Sequence, residues 1–177
     1  MDSRTLRSIQ QPLKQQYRDR PESAVVTLRA HGELGEGVSC SVQTSRALID
    51  AGLHPASGGD GSSICSGDML LDALVACAGV TLKAVATSLG LAVSGTVEAE
   101  GELDFRGTLA VDRDAPVGFR AIRLRFRLES EASEEEIQTL MRLTERYCVV
   151  FQTLTRPLSI AVATENPGGA RPAAPRA

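Results

Sequence analysis

The chain has no tryptophan, and aromatic residues make up only 3% of its 177 residues. Single-stranded nucleic acids are held by stacking bases on aromatic side chains, so this composition argues against such a platform. Positive charge is not in excess either. Nineteen Lys and Arg stand against 22 Asp and Glu, for a formal net charge of −3, and no nucleic acid partner is expected. Histidine is scarce, with only His31 and His54. No pair of Cys or His has zinc-site spacing, so no structural metal is expected, and no other cofactor. A phosphate-binding loop is missing too, because Gly58-Gly59-Asp60-Gly61 lacks the Lys and the strand-to-helix setting. Four cysteines are too few for a disulfide scaffold and point to a reducing, cytoplasmic setting. No membrane span is expected: the apolar run between Asp72 and Lys83 is ten residues, against the roughly 20 that a bilayer needs. The N-terminus has charges but no apolar core segment, so no secretory leader is expected.

What is present is organised around Ser66 to Gly90, which reads as one long helix. Ser66 is the expected N-cap. Asp68 puts negative charge at the positive end of the macrodipole. Gly90 suits a left-handed C-terminal stop. The residues between are apolar almost all round, interrupted chiefly by Asp72, Thr81, Lys83 and Thr87. Such a helix is central and covered on several sides. Ala73, Ala76, Ala78 and Gly79 surround Cys77, so another element can approach this cysteine closely.

Before this helix, residues 1–22 form an N-terminal arm with a helical stripe of Leu6, Ile9, Leu13 and Tyr17. The arm either packs on another surface, such as a second subunit, or frays. Pro12 is placed to start a short helix running to about Arg20. Ser23–His31 reads as a strand, Gly32–Gly37 as a turn and Val38–Thr44 as the returning strand. Cys40 lies in that hairpin and reads as a small packed residue. Leu48–Ser63 has loop composition and is expected to form the rim above the long helix, with Cys65 at the junction.

Beyond Gly90 the pattern has period two. Leu91–Asp104 carries Glu98, Glu100 and Glu102, and Phe119–Glu129 alternates Ile122, Leu124, Phe126 and Leu128 with Arg123, Arg125 and Arg127. The two strands are expected to pair, with the Glu row facing the Arg row across a solvated face. Ser133 and Glu136 form a capping box for a second helix, whose apolar stripe is Ile137, Leu140, Met141, Thr144, Tyr147 and Cys148. Leu158–Thr164 reads as a last strand, and residues 166–177 as a disordered tail. Strands and helices do not alternate singly, so the fold class is α+β, with one domain over 23–165. The long helix is apolar on more sides than one sheet of this size can cover, which implies a second copy of the chain against it.

The run Met69-Leu70-Leu71-Asp72-Ala73-Leu74-Val75-Ala76-Cys77-Ala78-Gly79-Val80-Thr81-Leu82, together with Glu145-Arg146-Tyr147-Cys148-Val149-Val150-Phe151-Gln152-Thr153-Leu154, resembles the OsmC/Ohr family. The resemblance implies antiparallel sheets wrapped around long central helices in an intertwined homodimer. It also implies a thiol peroxidase acting on organic hydroperoxides, with Cys77 as peroxidatic thiol and Cys148 as the thiol that resolves it to a disulfide. Family peroxidases carry a Pro-Glu pair ten residues ahead of the nucleophile. Here that glutamate position is Gly67, and the nearest acid is Asp68. The family's Cys-Pro is Cys148-Val149, and a family Ser is Phe151. For the family's thiolate-holding Arg, the best positional match is Arg46, with Arg29 second.

A nucleophilic Cys must be a thiolate. Cys77 lies about 16 Å along the axis from Ser66 at the α-helical rise, beyond the reach of its own helix's dipole. Burial among Ala and Leu raises a thiol pKa, so Cys77 is expected to need a cation from Arg46 or from a second subunit. Two functions follow. One is a thiol peroxidase whose Cys77–Cys148 disulfide is reset by an external dithiol. The other is a silent dimer of the same fold that binds a small apolar ligand. Cys65 stays open between an inert residue and an alternative redox partner.

Overall fold

Loop-like composition between the first hairpin and the long helix conceals two strands of a sheet. In the computed structural model, which describes residues 2–5, 8, 10, 11, 15, 19, 20, 31–34, 39–43, 48–110 and 112–164, four short strands come first. They are β1 (His31–Leu34), β2 (Ser39–Gln43), β3 (Leu48–Gly52) and β4 (Ile64–Cys65), and they form one sheet in the order β1-β2-β3-β4. β1 and β2 are antiparallel, with Gly32 opposite Val42 and Leu34 opposite Cys40. The first strand therefore includes Gly32, which had been expected in the turn, and residues 23–30 lie outside the described residues. β3 runs antiparallel to β2 with Ala51 opposite Cys40, and β4 runs parallel to β3 with Cys65 opposite Gly52. Leu48–Ser63 is thus not all loop. A single 3₁₀ turn at Pro55–Ser57 interrupts it, closed by Gly58 and capped by the His54 ring, whose Nδ1 accepts from the Ala56 N–H at 3.0 Å.

The long helix α1 spans Ser66–Leu89. Its N-cap is Cys65, with no side-chain capping bond, so Ser66 is the first helical residue and not the cap. At the other end Gly90 adopts φ 74°, where a side chain would be strained, and its N–H closes onto the Ala86 and Thr87 carbonyls. Leu74, Ala78, Leu82 and Ala86 recur every fourth residue and are all buried, one stripe facing the rest of the chain. Val80 points the other way and is 72% exposed, and Leu70, one turn ahead of Leu74, is exposed at the start of the row. The helix is long and apolar enough to cross a membrane by length and composition alone. Its buried stripe, with Asp72 and Lys83 exposed on other sides of the helix, fits a core helix equally well.

β5 (Ser94–Leu103), a short helix α2 (Phe105–Thr108) and β6 (Phe119–Glu129) follow. β5 and β6 make an antiparallel ribbon in which Glu98 faces Arg125 and Glu100 faces Arg123. The expected charge rows are present. Arg123 meets Glu102 at 2.6 Å, Arg125 meets Glu100 at 3.8 Å, and Arg127 pairs with Glu98. These pairs are exposed and contribute at most about 1 kcal/mol each.

The last elements are α3 (Glu134–Tyr147) and α4 (Val149–Thr155). Ser133 and Glu136 close the expected capping box, with Ser133 N–H donating to the Glu136 carboxylate at 2.8 Å. Leu140 and Thr144 of α3 are buried, and the core cluster joins Leu82 and Ala86 of α1 to Val93 and Leu140. Tyr147 is instead 57% exposed, with the Arg146 guanidinium 5.6 Å from its ring centre. Leu158–Thr164 is not a strand. Leu158, Ile160 and Val162 are exposed by 66–88%, because no described strand of the same chain lies alongside to pair with this alternating segment. In the N-terminal arm the described helical residues include 3–5, so helix begins ahead of Pro12, where the Asp2 carboxylate accepts from the Thr5 N–H at 2.7 Å. The stripe Leu6, Ile9, Leu13 and Tyr17 and the tail 166–177 lie outside the described residues.

Candidate functional site

Cys77 sits three residues beyond Leu74, at the edge of the buried stripe of α1, and is half-buried. Thr81 follows it by one helical turn on the same side. The chain returns to this point through the corner between α3 and α4. There Cys148 ends α3, its N–H bonding the Thr144 carbonyl at 2.9 Å, and breaks into an extended conformation at ψ 108°. It is at once the C-cap of α3 and the N-cap of α4, and its carbonyl accepts from the Gln152 N–H at 2.9 Å. The Gln152 side chain braces the corner by donating to the Glu145 carbonyl at 2.8 Å. Cys148 lies four residues beyond Thr144 and eight beyond Leu140, and at 1% exposure it is the buried end of the α3 stripe.

This corner brings the two thiols together, and both are free in the structure. Burial is the largest single influence on Cys77 and opposes its ionisation. It is outweighed by hydrogen bonding from the Val150 N–H, the Cys148 thiol, the Val149 N–H and the Thr81 hydroxyl, so the pKa of Cys77 falls below that of an ordinary thiol. For Cys148 the balance is reversed. Burial and the neighbouring Cys77 charge push its pKa up, against the pull of the Phe151 and Val150 amides. The Phe151 amide favours the Cys148 thiolate without closing a full capping bond. One thiol is therefore favoured as the thiolate and its neighbour as the protonated form, the division of labour that attack and resolution need.

Among the described residues, the groups that lower the Cys77 pKa are backbone amides at the start of α4, a thiol and a hydroxyl. Backbone donors have no residue signature, which is why the sequence did not point to them. One trace was present: Val149 stands where the resemblance places a proline, and only a non-proline residue has an N–H to give. Arg46 and Arg29 lie outside the described residues. Asp68 is not next to Cys77 within the chain, since nine residues of one helix separate them by about 14 Å. Asp68 lines a separate cavity at the start of α1, together with Cys65. The backbone of Cys40 is in β2, opposite Leu34 and Ala51. Among the described residues no group of three or more His, Cys, Asp and Glu could hold a metal ion.

A sequence model described as OsmC-like protein matches residues 59–163, more than half of the chain and all of the site just described. The chain belongs to the OsmC-like protein family. Solved structures agree on the fold. An OsmC-like protein from Mycoplasma pneumoniae superposes with a TM-score of 0.63 at 20% identity, over 73% of this chain and 88% of that one. An organic hydroperoxide resistance protein from Elizabethkingia anophelis, with thiocyanate bound, gives 0.55 at 15% identity over 73% and 89%. An organic hydroperoxide resistance protein OsmC from Legionella pneumophila gives 0.55 at 14% identity over 74% and 90%. No match was found among curated protein sequences. The α+β fold with a long central helix expected for OsmC/Ohr proteins is thus the fold of this chain.

Proposed function

We propose that this OsmC-like protein is a thiol peroxidase that reduces organic hydroperoxides. The observation that carries the reading is the pairing of a half-buried Cys77, shifted toward the thiolate, with a buried Cys148, shifted toward the thiol. The Cys77 thiolate attacks the terminal oxygen of the hydroperoxide. The O–O bond breaks, the alkoxide takes a proton and leaves as an alcohol, and Cys77 becomes a sulfenic acid. The Cys148 sulfur then displaces water to give a Cys77–Cys148 disulfide. An external dithiol returns both residues to thiols and is itself oxidised. No bound cofactor is needed for this sequence.

A groove of about 490 Å³ beside the Cys148 corner is lined by Tyr147, Val149, Pro157 and Leu158 together with Arg146 and Arg156, a mainly apolar surface that suits an organic hydroperoxide. The working form is a homodimer in the cytoplasm, in which the exposed face of α1 around Val80 meets a second copy. In that dimer the exposed Leu158–Thr164 segment finds the strand partner it lacks in a single chain. Asp68, and Arg46 or Arg29, act at a thiol pair only if the second copy or the hairpin brings them there.

The test is a steady-state assay of the full chain with cumene hydroperoxide and a dithiol, alongside Cys77→Ser. Turnover by the wild type and none by the variant is expected. Equal rates for the two proteins would overturn the peroxidase and leave the second reading, a dimer that holds an apolar ligand. That second reading is favoured by the distance of Asp68 from Cys77.

A further inference from the structure

The start of α1 carries a second thiol in a different setting. A cavity of about 430 Å³ opens there, within the size range of small-molecule sites. Phe105, Phe119 and Leu103 supply apolar wall, and Cys65, His54, Asp68, Glu102 and Arg120 supply polar groups, with the Glu102 carboxylate already paired to Arg123. Cys65 is half-buried and free, and its sulfur makes no capping bond to α1. His54 stacks on Phe105 with ring centres 5.0 Å apart. Because its Nδ1 accepts from Ala56, the neutral ring carries its proton on Nε2 and offers a donor.

Gly67 lines this cavity and puts no side chain into it. A Cβ there would lie 3.5 Å from the Phe119 ring, 3.6 Å from Leu103 and 3.6 Å from the Cys65 sulfur. This is the position at which the resemblance places a glutamate. The chain has thus replaced a carboxylate by open space and set a thiol, a ring N–H donor and a guanidinium around it.

We propose that this cavity binds a low-molecular-weight disulfide bearing a carboxylate, and that Cys65 exchanges with it to form a mixed disulfide. Arg120 and His54 hold the carboxylate, a guanidinium being the strongest side-chain donor for that group. Asp68 receives an ammonium group where the ligand is of amino-acid type. The Cys65 thiolate attacks one sulfur of the ligand. A Cys65–sulfur bond forms, the ligand's sulfur–sulfur bond breaks, and the departing thiolate takes up the proton that Cys65 lost. The disulfide itself is the oxidant. The site lies more than two turns of α1 from Cys77 and does not depend on the peroxidase reading.

The experiment uses the full-length Cys77→Ser protein, so that the thiol pair cannot strip the adduct. It compares oxidised glutathione, which carries carboxylates, with the uncharged hydroxyethyl disulfide, by peptide mass mapping of adduct formation over time. Cys65 is expected to react with oxidised glutathione about tenfold faster than with the neutral disulfide, the worth of one charge-assisted hydrogen bond. Arg120→Gln removes that preference, read as the ratio of the two rates. Gly67→Glu, which fills the space, slows both. Equal rates with the two disulfides, a preference that survives Arg120→Gln, or adducts on other cysteines with Cys65 untouched would each overturn the proposal. None of these results bears on turnover at Cys77, which is read separately in the wild type.

Discussion

Val149 is the first residue of α4, and its N–H is one of two backbone donors that favour the Cys77 thiolate. Proline is well accepted at the first position of a helix, so Val149→Pro removes this donor with little cost to α4. The Cys77 pKa should then rise. A thiol reacts as its thiolate, so a lowered pKa brings the onset of reactivity to lower pH, and losing a donor moves it back up. Iodoacetamide labelling of Cys77 across a pH series is expected to show its midpoint shifted to higher pH in the variant. An unmoved midpoint would mean that the Val150 amide and Thr81 suffice. Cys148→Ser acts on the other half of the pair. It should leave Cys77 as a sulfenic acid that dimedone traps after peroxide treatment, whereas the wild type gives little trapped product.

At the scale of elements, α3 is fastened at both ends. Its capping box is worth about 1 kcal/mol, so Ser133→Ala should lower the unfolding free energy by that amount in a urea titration. Leu140, fully buried between α1 and β6, should cost about 2–5 kcal/mol when cut to alanine. Equal effects from the two substitutions would contradict this placement of the core. These elements were legible because their signals are local. The capping box needs only Ser133 and Glu136, and β6 needs only its own alternation from Phe119 to Glu129. What escaped depends on neighbours. β3 and β4 have five and two residues, and the Asp, Ala and Gly of β3 are poor strand formers held in place by the strands beside them. Leu158–Thr164 failed in the opposite way, having the alternation of a strand without a partner in its own chain. The site divided on the same line. Cys77 and Cys148 carried recognisable settings, whereas the Val149 and Val150 amides have no letter in a sequence, and Asp68 lies too far along α1 to meet Cys77 of the same chain.

For the whole molecule, α1 buries one stripe and leaves Val80 exposed on the opposite side. An apolar helix face of this kind is costly to leave in water. In the proposed homodimer it meets the same face of a second copy. Val80→Glu would bury a carboxylate there, and sedimentation equilibrium of the full chain should pass from dimer to monomer mass. A variant that keeps the dimer mass would place the interface elsewhere. Dimerisation and thiol chemistry are linked in this account, because the hairpin arginines and Asp68 can reach a Cys77 only through tertiary or subunit contacts outside the described residues. The monomeric variant should therefore also lose part of its peroxidase rate. The central claim, however, concerns one pair of thiols and is tested on them directly. One equivalent of cumene hydroperoxide is added to the reduced protein, free thiols are counted, and the peptides are mapped. The account predicts rapid loss of two thiols and a Cys77–Cys148 crosslink that is absent from Cys77→Ser. Four surviving thiols, or a crosslink that does not include Cys77, would contradict it.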